Sequence, residues 1–159
     1  MHTSPPELLF MNVVQRKMEA RVICNSLPDK QFMEALESCE LPNESFHHSD
    51  HVRLAWIYLR SMPESRARER MASTLRRFAA HNGKSERYHH TRTLAWTRLV
   101  AAAIEGTPAI DSFEEFLEAH PHLSNQQTLL QHYSKDCLES QASRTGWVAA
   151  DLQSLPSAG

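Results

Sequence analysis

The apolar positions of this chain recur at helical spacing, so the elements they predict are helices. Val52, Leu54, Ala55, Trp56, Tyr58 and Leu59 fill two adjoining stripes of a helix from about Asp50 to Arg60, with Ser49 as its N-cap. Upstream, Phe32, Met33 and Leu36 share one side of a short helix opening at Pro28-Asp29 and running to about Cys39. Downstream, Ser61-Met62-Pro63-Glu64 combines a capping box with a first-turn proline. The helix it starts carries Ala67, Met71, Leu75 and Phe78 and ends near Ala80, with Gly83 in the left-handed cap region. Ser85 caps the longest helix, about Glu86 to Glu105, which Gly106 and Pro108 stop. Ser112-Phe113-Glu114-Glu115 is another capping box, for a short helix ending before Pro121. Ser124 caps a helix carrying Leu129, Leu130, His132 and Tyr133, and Lys135 to Thr145 is helical in pieces, broken by Gly146. The tail from Trp147 is irregular, with Trp147, Val148, Leu152 and Leu155 placed to strap it to the body. Residues 1–27 lack a clean period and read as an N-terminal arm. The fold class is therefore all-α: a single-domain helical bundle of five to seven helices over residues 28–159, with an irregular C-terminal tail.

Composition narrows the function more than the fold. A chain of 159 residues is long enough to bury roughly 70% of the surface its unfolded form exposes. A net charge of −2 gives no general electrostatic reason to bind nucleic acid or an anionic membrane. No apolar run approaches the length of a membrane span, and the start lacks the features of a signal peptide. Cys24, Cys39 and Cys137 are an odd set without CxxC spacing, which argues against a disulfide framework or a zinc knuckle. A cytoplasmic protein acting on a small molecule, with no nucleic-acid or membrane partner, fits these bounds; oligomeric state is not legible in them.

The unusual feature is ten histidines. His47, His48 and His51 surround the start of the Asp50 helix, and His89 and His90 lie in the opening turn of the Glu86 helix. In an up-and-down bundle alternate helices run in the same direction, so these two entrances lie at one end. The positive end of a helix dipole favours neutral imidazole, the form a metal ion or a general base requires. His48, His51 and His89 thus form a candidate three-histidine set for one transition metal ion, whether iron, copper or zinc, with open coordination positions. Asp50, Tyr88 and Tyr133 are candidate catalytic groups for proton handling, and His132 is a possible extra ligand. Arg53, Trp56 and Trp96 are candidate substrate-binding residues, Arg53 through charge and the tryptophans as pocket walls.

At these residues the chain resembles an uncharacterised family of small bacterial all-helical proteins. The shared segments are Phe46, His48, Asp50, His51, Arg53, Ala55 and Trp56, then Tyr88, His89, Thr91 and Thr93, in an HxDH…YHxTxT pattern. A C-terminal set comprises Tyr133, Ser134, Leu138, Ser140, Ala142, Asp151, Leu152, Leu155 and Pro156, with Ser143 and Ala150 departing from the pattern. The resemblance covers about residues 28–156. It favours His48, His51 and His89 over their neighbours His47 and His90, and it implies no activity.

Two readings of function follow. One is a small metal-dependent enzyme, an oxidoreductase or a hydrolase, leaning toward oxidase or oxygenase chemistry because carboxylate ligands and a general-base glutamate are missing. The other is a non-enzymatic ligand- or protein-binding module whose histidines cap helices or bond to backbone. Converging ring nitrogens would favour the first, and separate backbone partners the second. The bland alternatives extend to the other residues. Trp56 and Trp96 sit on core stripes, Thr91 and Thr93 suit bonds back to their own helix, and Cys137 suits a small buried hydrophobe. The arginine run from Arg66 to Arg77, interleaved with Glu69, reads as a solvated face.

Overall fold

The computed structural model describes residues 25–157 and, before them, residues 15, 18, 19 and 22. The arm expected over 1–27 lies for the most part outside the described residues. The chain divides into two compact units between His47 and His48. In the first, α1 (Asp29–Glu37) buries Phe32 and Leu36, one turn apart on the same stripe, and stops where Cys39 takes a positive φ of 63°.

The second unit is built on three long helices: α2 (His48–Ser61), α3 (Glu64–His81) and α4 (His90–Gly106). Three short ones follow: α5 (Phe113–Ala119), α6 (Lys135–Glu139) and α7 (Gln141–Thr145). Among the described residues there is no strand, and the fold is the expected all-α bundle. No helix among them is long and apolar enough to cross a membrane.

Helix α4 is the centre. Leu94, Ala95, Trp96, Leu99, Val100 and Ala101 are buried on all its faces, the mark of a helix enclosed by others rather than laid on a surface. Cross-links fix the directions. The Tyr58 hydroxyl of α2 meets the Thr74 hydroxyl of α3 at 2.9 Å. His48, at the start of α2, lies edge-on to Trp96 in the first half of α4, and Arg60, near the end of α2, pairs with Asp111 just beyond the end of α4, so these two run the same way. Arg76, late in α3, meets His90 at the start of α4, whereas Arg98, midway along α4, is bonded to Glu64 at the start of α3, so those two run opposite ways. Arg98 is 8% exposed, and Glu105 supplies a second carboxylate at 3.1 Å. A guanidinium this deep is tolerable only with such partners.

Local departures from the expected elements have visible causes. Ser61 does not cap α3; its hydroxyl turns back to the carbonyls of Ile57 and Tyr58, while Glu64 is taken by Arg98. Helix α4 starts at His90 instead of Glu86, because Ser85–Arg87 closes one 3₁₀ turn and Tyr88 and His89 are extended. Residues 121–131 form two 3₁₀ segments, with Asn125 in place of Ser124 as the cap of the second, and Thr128 ties them by donating to the His122 carbonyl at 2.7 Å. Gly83 has the expected positive φ, 68°, and Ser112 caps α5 at 3.1 Å.

The tail is irregular and does strap the bundle, but through polar bonds. Trp147 and Leu152 remain 43% and 60% exposed. The Gly146 carbonyl accepts from the Thr91 hydroxyl, which in turn accepts from the Val148 N–H. The Val148 carbonyl accepts from Tyr133, Asp151 takes both the N–H and hydroxyl of Ser134, and His132 Nδ1 donates to the Gln153 carbonyl at 2.8 Å.

Candidate functional site

At the entrance of α2, Asp50 is 2% exposed and begins the buried side of the helix. His48 Nε2 donates to the Leu123 carbonyl at 2.9 Å, and its ring meets the Trp96 ring at 4.4 Å between centroids. The His51 ring lies 6.5 Å from that of His48, and its Nε2 is sealed from solvent without a hydrogen-bond partner. Burial, helped by the nearby His48 and opposed by the Thr93 carbonyl, pushes the His51 pKa down to about 4, so the ring is neutral. Burial lowers that of His48 as well. Arg53 follows on the same helix, partly buried. Trp56 faces another neighbourhood, with Phe113 and Phe116 at 5.7 and 6.2 Å and the Arg60 guanidinium 4.5 Å over its ring.

At the entrance of α4, His89 is the N-cap. Its Nδ1 accepts from the Arg92 N–H at 3.0 Å, which fixes the proton on Nε2, and Nε2 donates to the Leu138 carbonyl at 2.7 Å. Both nitrogens are committed to backbone 49 residues apart in one case and 3 in the other. The Tyr133 hydroxyl is held by the Val148 carbonyl, and burial pushes its pKa up to about 12. His132 is held by the tail.

The expected site residues are thus distributed. His48, His51, Asp50 and Trp96 share one neighbourhood. His89 and Tyr133 are bonded to C-terminal backbone, and Tyr88 turns to His90. Among the described residues no group of three or more His, Cys, Asp or Glu is arranged to hold a metal ion.

An open concavity lies elsewhere, along the α3–α4 face. A groove of about 450 Å³ has Ala72 and Leu94 as its floor, Ser65 and Ser73 as small wall residues, and Arg68, Glu69, Arg76 and His90 as polar groups. His90 Nδ1 accepts from both Arg76 at 3.2 Å and the Tyr88 hydroxyl at 2.8 Å; an arginine can only donate, so the His90 proton sits on Nε2. Burial, and after it the charges of Arg76 and Arg68, lower the pKa of this ring. The sequence held a signal for this groove. Ser65, Ala72 and Ser73 are small residues at helical spacing alongside Arg68 and Arg76, and they hollow the helix surface beside the two cations.

No protein-family model, curated protein or solved structure matches this chain, which leaves its own geometry to speak for its function.

Proposed function

We propose that the chain is a small non-enzymatic binding module: a helical bundle that takes a ligand in its α3–α4 groove and uses its histidines structurally. The observation that carries this reading is the set of histidine partners. His48, His89 and His132 each donate to a different backbone carbonyl, those of Leu123, Leu138 and Gln153. Ligands of one metal ion must instead turn their nitrogens to a common point about 2 Å away. Among the described residues Cys39 and Cys137 are unpaired, which agrees with a reducing cytoplasm.

The test is elemental analysis of untagged protein, purified without chelators, beside a His48→Ala/His89→Ala double variant. The expected result is no stoichiometric iron, copper or zinc in either, none taken up on reconstitution, and a clear loss of stability in the variant. About one metal ion per chain, lost in a variant that still folds, would overturn the reading.

That outcome would favour the second reading, a metal-dependent enzyme with His48, His51 and His89 as ligands and Asp50, Tyr88 or Tyr133 handling protons. One observation supports it: His51 Nε2 is neutral, sealed and unpartnered one turn from His48. Recruiting His89 would require its ring to leave either the Arg92 N–H or the Leu138 carbonyl.

A further inference from the structure

The groove between α3 and α4 carries more than a shape. We propose that it binds an anionic small molecule, whose phosphate or carboxylate group is taken between Arg68 and Arg76. This rests on the binding-module reading above and names its ligand class.

Two other arginines of the second unit have carboxylate partners: Arg60 pairs with Asp111, and Arg98 with Glu64 and Glu105. Arg68 and Arg76 have none among the described residues. Each is held by an aromatic face instead. The Arg68 guanidinium lies 5.3 Å from the Trp147 ring centroid, and that of Arg76 lies 5.0 Å from the Tyr88 ring centroid. Aromatic faces orient a guanidinium without neutralising it, so both charges stay available to a ligand at little ordering cost.

His90 belongs to the same wall. With Arg76 and Tyr88 donating to Nδ1, it offers Nε2–H as a neutral donor. Glu69, also in the wall and bonded to neither arginine, suits a hydroxyl or ammonium on the ligand and disfavours a purely polyanionic one. The buried floor of Ala72 and Leu94 suits a small apolar body. A volume near 450 Å³ matches a compact metabolite-sized molecule. A nucleic-acid strand would need a longer basic track with stacking rings.

The experiment is isothermal titration of the full chain with pyrophosphate and with citrate at low ionic strength. It compares wild type with Arg68→Ala, Arg76→Ala and, as a charge-matched control outside the groove, Arg66→Ala. The expected result is saturable one-to-one binding of at least one probe. Affinity should fall about tenfold or more in each groove variant, since each removes a charge-assisted contact, and change less than about twofold in Arg66→Ala. Circular dichroism of the variants confirms that they remain folded.

Equal weakening by Arg66→Ala would reveal diffuse charge attraction and overturn the proposal. So would the absence of saturable binding by either probe. If neutral fragments then still shift the Leu94 methyl resonances, the anion class fails while the binding module stands. Stoichiometric metal on His48 or His89 would instead overturn the module reading itself, whatever the anions do.

Discussion

At the entrance of α4, His89 has one nitrogen capping its own helix and the other holding the Leu138 carbonyl. At the entrance of α2, His51 is as deeply set at its Nε2, yet that atom meets no partner. The two residues look alike in sequence, each one place from a second histidine or an acid and each ahead of an Ala-Trp pair. The difference lies in what the rest of the chain brings to them. The C-terminal third folds back over α4 and supplies carbonyls, whereas the Thr93 carbonyl acts on the His51 ring without a hydrogen bond to its Nε2. A histidine cluster is therefore a demand for partners, and backbone can meet it as well as a metal can.

Acid should break this comparison most strongly. His48, His51 and His89 all have pKa values lowered chiefly by burial, His51 from 6.5 to about 4. The unfolded chain binds their protons more readily, so their contribution is present above pH 6.5 and is lost as pH falls toward 4. His51 alone accounts for on the order of 3 kcal/mol over that window. Urea unfolding at stepped pH measures it, and His51→Leu should flatten the slope. An unchanged slope would mean that the ring is not neutral in the folded state.

His89→Ala comes next, with an expected loss of about 2 kcal/mol from the missing cap and the stranded Leu138 carbonyl. His89→Asn, which can still cap, should recover part of it. Tyr133→Phe removes only the bond to Val148 and should cost about 1 kcal/mol. Its signature would be faster amide exchange confined to residues 146–155. The smallest effect is expected where the contrast is sharpest: at pH 7, His51→Leu should cost under about 1 kcal/mol, because it deletes an atom that bonds to nothing. A loss as large as that of His89→Ala would show that Nε2 has an occupant.

The fold was largely legible in the sequence, because helical spacing, Pro63, Gly83, Ser112 and Gly106 all act locally. The parallel course of α2 and α4 followed from short loops. What stayed hidden was non-local. Nothing near His89 announces that Leu138 will meet it, and nothing near Tyr133 announces Val148. The segments read as a possible site, Tyr88 to Thr93 and Tyr133-Ser134, hold the tail in part, which periodicity cannot reveal. Ser61 was misassigned because the rival for Glu64 is Arg98, more than thirty residues away. The groove went unread for the opposite reason. Most arginines of α3 are exposed, as on a solvated face, and only the packing of α4 sets His90 and Leu94 beside Arg68 and Arg76.

The strap also sets an order of events. Its bonds join residues far apart in the chain, 55 from Thr91 to Gly146 and 57 from Thr91 to Val148. Such contacts form only after the intervening helices have shortened the distance between their ends, since closing a long loop early costs entropy without return. The three long helices should therefore assemble first and the tail dock last, peeling away first on unfolding. During synthesis the first turn of α4 waits for its outer partners until the segment through Val148 has emerged. Protection of the Val148 amide, which donates to the Thr91 hydroxyl, would then serve as a clock for the final step of folding.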